Sequence, residues 1–75
     1  MFEGKIAIEF DESKEAEIFY KALKPEEISA PSYRTETRIV LERNKLLIVI
    51  KSKDLSSFRA ATNSFLRLLN VIANV

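Results

Sequence analysis

Arginine and asparagine recur at intervals of three and four residues near the end of the chain, at Arg59, Asn63, Arg67, Asn70 and Asn74. On a helix these five fall within an arc of about 80° and form one polar seam. Asn and Arg side chains hydrogen-bond the backbone carbonyls of a partner, or phosphates, so the chemistry they offer is recognition. Bond-making lacks its usual tools. Histidine and cysteine are both absent, which excludes imidazole acid/base chemistry, thiol nucleophiles, Cys/His zinc clusters and disulfides. The single glycine, Gly4, cannot build a phosphate-cradling loop or a dinucleotide fingerprint, because those turns need several positions free of a side chain. Serines, threonines, lysines and carboxylates are present, yet none forms a nucleophile with a recognisable base and orienting group. The expectation is a protein that is not an enzyme and takes no cofactor, metal or small-molecule substrate.

The helix carrying the seam must start after Asp54 or Ser56, either of which can cap it, and run about 20 residues. Around its axis Phe58, Phe65, Leu69 and Ile72 form the centre of a core face. Leu55, Leu66 and Ala73 flank it on one side, and Ala60, Ala61, Ser64, Leu68, Val71 and Val75 on the other. The apolar coat spans about 240°, where a helix lying on one small sheet needs little more than 100°. The row Ala60, Ser64, Leu68 and Val71 combines surplus apolar area with small residues that permit close helix approach.

The preceding elements follow from two periodicities. Phe2 to Phe10 alternates, with Phe2, Gly4, Ile6, Ile8 and Phe10 on one side, as a half-buried strand does. Lys14 to Lys24 places Ala16, Phe19, Tyr20 and Leu23 at helical spacing after the possible caps of Asp11-Glu12-Ser13, and Pro25 is expected to end that helix. Ile18 and Ala22 lie away from its core face. Residues 25–33 read as a loop in which Ile28 and Tyr33 tack onto the body. Arg34 to Glu42 alternates again, and Arg43-Asn44-Lys45 turns the chain, with Asn44 the residue suited to a left-handed backbone. Leu46 to Ile50 is apolar on both faces, as expected of a strand covered or partly covered on both sides.

The order β-α-β-β-α predicts an α+β two-layer domain over residues 1–75, with a three-stranded antiparallel sheet and two helices on one face. Ala7, Val40, Leu47 and Val49 then share the opposite face, ringed by Lys5, Arg38 and Lys51, and are the candidate dimer contact, with an open sheet edge as the other candidate surface. Seventy-five residues, 47% of them hydrophobic, enclose so little interior that part of this apolar surface is expected to meet a partner. Twelve basic against eleven acidic residues leave a net charge of +1, so no large basic field announces a stand-alone nucleic-acid binder. No signal peptide or membrane segment is visible, and a soluble, cytoplasmic protein is expected.

Ser57-Phe58-Arg59-Ala60-Ala61-Thr62-Asn63-Ser64-Phe65-Leu66-Arg67 resembles the C-terminal helix signature of the Pcc family, the small subunit of the KEOPS complex, in its archaeal form. Leu23-Lys24-Pro25-Glu26 after the first helix, and Asp54 opening the second, are also similar, and the likeness covers nearly the whole chain. The resemblance implies a non-catalytic subunit of the assembly that places threonylcarbamoyl on the adenosine beside the tRNA anticodon. It would homodimerise, bind the sugar-kinase-like transferase subunit through its helices and engage tRNA only within the complex. Ile18, Ala22, Arg59, Ala60, Asn63, Ser64, Arg67 and Val71 are the candidate partner-binding residues. The alternative is a small stand-alone RNA-binding module of the KH type. Against it, a glycine-rich clamp is missing and Arg34, Arg38, Arg43, Lys51 and Lys53 are interleaved with Glu36, Glu42 and Asp54.

Overall fold

In the computed structural model, which describes residues 1–29 and 35–73, strand β1 (Phe2–Glu9) leads into helix α1 (Ser13–Ser29), followed by strands β2 (Thr35–Glu42) and β3 (Lys45–Ser52) and helix α2 (Leu55–Ala73). The sheet order is β1-β3-β2, with β3 antiparallel to both neighbours. This is the expected α+β architecture. The last strand is central because the β2–β3 hairpin leaves β3's other edge for β1, and a helical crossover is needed to bring the parallel strands β1 and β2 to its two sides.

Alternation sets what is inside. Leu46, Ile48 and Ile50 of β3 are buried together with Ile39, Leu23 and Phe65, and Ile6, Phe10, Phe19, Tyr20, Phe58, Leu69 and Ile72 pack around them. Gly4 belongs to this inner row for a steric reason: a Cβ there would lie 2.6 Å from Cζ of Phe58, whose ring also leans on Phe2 at 6.3 Å between centroids. Leu47 and Val49, on the opposite face, are half-buried, and among the described residues β3 is fully covered on one side only.

Two local expectations are corrected. Pro25 lies inside α1, which continues to Ser29. Proline deletes one helical hydrogen bond, but its fixed φ is compatible with helix, and the turn beyond it is tied to the sheet: the Ile39 N–H donates to Oε2 of Glu27 at 2.5 Å. The left-handed residue of the hairpin is Arg43, at φ 53°, rather than Asn44. Asn44 is committed to β1, its carbonyl accepting from the Phe10 N–H at 2.8 Å and its side-chain amide donating to the Phe10 carbonyl at 2.6 Å. That double bond to the neighbouring strand extends the ladder and leaves the reversal to the preceding residue. Tyr33, Arg34, Asn74 and Val75, and the side chain of Ile28, lie outside the described residues.

Candidate partner-binding surfaces

Asp54 builds the entry to α2. Its carboxylate accepts from the Ser57 N–H at 2.7 Å and the Ser57 hydroxyl at 3.1 Å, and its carbonyl accepts the first helical bond from Phe58 N–H at 3.1 Å. One carboxylate oxygen therefore satisfies a main-chain donor that the first turn leaves orphaned, and the other holds the Ser57 hydroxyl. The apolar face of the helix sets its rotation on the sheet: Phe65 turns into the core at 4% exposure, and Arg59, Asn63 and Arg67 turn out to solvent.

With that rotation set, the expected surplus is present as exposed surface. Ala60 and Ser64 are exposed, Val71 is 54% exposed, and on α1 Ala22 is exposed and Ile18 is 57% exposed. Leu68 departs from this row and packs against the core. A second apolar flank went unremarked as a contact in the sequence: Leu55 and Leu66 are 44% and 50% exposed, and Phe2 of β1 is 41% exposed. Their helical positions made them flank residues, but only the sheet order shows that β1 is an edge with no element beyond it.

The uncovered sheet face has a legible chemistry. Register aligns four cross-strand rows in the order β1, β3, β2: Glu3–Lys51–Glu36, Lys5–Val49–Arg38, Ala7–Leu47–Val40 and Glu9–Lys45–Glu42. The four candidate residues Ala7, Val40, Leu47 and Val49 are thus adjacent, an apolar centre between charged rows. Opposite charges alternate across the first and last rows, the favourable cross-strand arrangement.

At the outer edge of β2 a polar cluster was not anticipated. Lys24 Nζ lies 2.8 Å from Oε1 of Glu27 and 5.4 Å from the centre of the Tyr20 ring. The bond from Lys24 and the Ile39 N–H, helped by the charges of Lys24 and Arg38, hold the Glu27 carboxyl below its usual range. The bond to Glu27 correspondingly raises the Lys24 ammonium. Nothing in helical periodicity marks Glu27, because its partner is a main-chain group 12 residues away in sequence. Among the described residues no group of three or more carboxylates is placed to hold a metal ion, and no helix is long and apolar enough to cross a membrane.

The chain is thus a two-layer α+β domain that presents apolar helix flanks, a polar seam and a bare sheet face. Residues 3–75 match the family model described as "Transcription factor Pcc1", and the chain belongs to this Pcc1 family. It is similar to the KEOPS complex subunit Pcc1 of Pyrococcus abyssi (strain GE5 / Orsay), with 33% identity over 73 residues that cover 97% of this chain and 89% of the relative.

Proposed function

We propose that residues 1–75 act as one domain serving as a non-catalytic scaffold subunit of a KEOPS complex in the cytoplasm. It would homodimerise, bind the sugar-kinase-like transferase subunit and support threonylcarbamoyladenosine modification of tRNA. The observation that carries this reading is the exposure of Ile18, Ala22, Ala60, Ser64 and Val71 on the helix layer. Ile18 and Ala22 lie on the side of α1 away from its buried Ala16 and Leu23. A right-handed β1–α1–β2 crossover, the hand such connections take, turns the Ala60 and Ser64 flank of α2 toward α1. These exposed apolar flanks suit the apolar faces of a partner's helices, with Arg59, Asn63 and Arg67 as a polar rim.

For the second copy, the charge rows favour one geometry. If two sheet faces pack about a two-fold axis crossing the strands through Ala7, Leu47 and Val40, Lys5 meets Glu9 and Arg38 meets Glu42 of the second copy. An axis along the strands would instead oppose Glu9 to Glu42 and Lys5 to Arg38. The apolar row remains self-matched in the favoured arrangement. The same rows argue against autonomous nucleic-acid binding, since each basic residue on this face has an acidic one on its own or the next row.

The test is reconstitution. Ala60→Glu or Ser64→Glu should abolish binding to the transferase subunit without unfolding the domain, because a desolvated charge acts only where surfaces meet. Val49→Glu should split the dimer in sedimentation. Both defects should depress tRNA modification in the assembled system while leaving the transferase's nucleotide binding intact. Equal modification rates with and without this chain, under conditions where the proteins assemble, would remove the scaffold reading, and salt-sensitive tRNA binding by the isolated chain would put the RNA-binding module in its place.

A further inference from the structure

The two edges of the sheet differ in a way that bears on how this chain associates. β1 pairs with β3 without a bulge from Phe2↔Ser52 to Glu9↔Lys45, and the Phe10 N–H continues the ladder to the Asn44 carbonyl. Main-chain groups alternate between the two sides of a strand, so those of Glu3, Lys5, Ala7 and Glu9 point away from β3. On β2 the N–H of Ile39 leaves the sheet to reach Glu27, which makes the groups of Thr35, Thr37, Ile39 and Leu41 the outward ones. A row of outward donors and acceptors is a template for another strand.

The β2 template is obstructed at its middle. Oε2 of Glu27 takes the Ile39 N–H at 2.5 Å, and Oε1 is held by Lys24 at 2.8 Å. A concavity of about 920 Å³ begins here, at Tyr20, Lys24, Glu27 and Thr37, and extends over the uncovered sheet face to Val49, Lys51 and Lys5. A fourth strand on β2 would have to place a carbonyl oxygen where the carboxylate already sits. Among the described residues no side chain does the same to the outward groups of β1.

We propose that Glu27 guards the β2 edge. By holding the Ile39 N–H it closes this edge to a strand from a second copy of the chain, so that self-association cannot propagate from sheet to sheet. An incoming strand must displace a hydrogen bond that is charge-assisted and braced by Lys24, and until it does so its carbonyl faces a negative charge. The placement explains why α1 continues past Pro25: the last turn of the helix exists to deliver this side chain to the edge. Nothing in this inference depends on which complex the chain joins.

The experiment combines amide hydrogen exchange with sedimentation velocity of the full chain over a range of concentrations. In Glu27→Ala the Ile39 amide should exchange about tenfold faster, the size expected for one lost hydrogen bond of this kind. Species larger than those of the unaltered chain at the same concentration should appear. Adding Thr37→Pro removes a second outward donor without touching the β2–β3 ladder, and should return the sedimentation profile to that of the unaltered chain. A merely structural Glu27 would give no such rescue. Glu27→Gln keeps an acceptor in place and guards against loss of the fold; it should shift exchange and sedimentation in the same direction by less. A folded Glu27→Ala that sediments like the unaltered chain, larger species that persist with Thr37→Pro, or a Glu27→Gln that changes neither measurement would each overturn the proposal.

Discussion

The two helices cover the same sheet and are held to it by different means. α2 is a self-sufficient amphipathic helix: Asp54 satisfies its first turn, Phe65 anchors its middle, and no proline or glycine interrupts it. α1 has Ala16 and Leu23 as fully buried anchors and carries Pro25 in its interior. Its final turn owes its place to Glu27 and the edge of β2. A helix that meets its own local requirements can spare its outer flanks for a partner, whereas one that depends on the sheet for its last turn has its side chains committed there.

The largest effect should come from the α2 anchor. Phe65→Ala removes a ring that touches the core cluster at 4% exposure, and such truncations cost about 3–5 kcal/mol. A domain of this size is stable by roughly 4–11 kcal/mol, so the variant should lose between about a quarter and all of its stability, read by urea titration of the far-UV signal. Loss of less than about 1 kcal/mol would mean that α2 is dispensable to the core and that the contrast between the helices is misdrawn.

Next comes the cap. Asp54→Ala strips the acceptors from the Ser57 N–H and hydroxyl and should cost about 1–2 kcal/mol, with Asp54→Asn recovering most of it. Because a frayed first turn would displace Arg59 and Ala60, which follow it directly, the alanine variant should also weaken partner binding more than its stability loss explains. Partner affinity that merely tracks the folded fraction would show that Arg59 and Ala60 keep their places without the cap.

These two residues also mark how far the sequence is readable. Asp54 and the 3.6-residue spacing of Phe58, Phe65, Leu69 and Ile72 are local signals, so the start, length and facing of α2 follow from the chain itself. The strand alternation likewise fixes which residues share a face, and hence the apolar centre of Ala7, Val40, Leu47 and Val49. What could not be read depends on contacts between distant segments. Pro25 looks like a terminator until the edge of β2 supplies a partner for Glu27. Asn44 looks like the left-handed residue until Phe10 claims both its carbonyl and its amide. The exposure of Leu55 and Leu66 depends on β1 being an edge, a fact of sheet order.

A smaller effect separates the helices by pH. The Glu27 carboxyl is held below its ordinary value, first by the bond from Lys24 and also by the Ile39 N–H. A group depressed in the folded state contributes stability that is present above its unfolded pKa and is lost as pH falls through the folded one. The contribution of Glu27 should therefore be intact at neutral pH and disappear below the usual carboxylate range. The stability gap between the unaltered chain and Glu27→Gln should close on acidification. A gap of constant size from neutral to strongly acidic pH would mean that Glu27 acts by packing and not through its charge.

The smallest effect sharpens the comparison most, because it measures the dependence of α1 on the sheet directly. Pro25 denies the helix one main-chain bond, and the bond between Glu27 and Ile39 compensates from outside. Pro25→Ala should restore the internal bond and raise stability by about 1 kcal/mol, less than proline costs in mid-helix because the site is near the end. With the last turn then locally stable, Glu27 has less to hold in place. The loss caused by Glu27→Ala should be smaller in the Pro25→Ala background than in the unaltered chain, a coupling of about 0.5 kcal/mol in a double-mutant cycle followed by urea unfolding. Additive losses would show that the last turn of α1 stands without the sheet, in which case Glu27 serves the edge of β2 and contributes nothing to the helix that carries it.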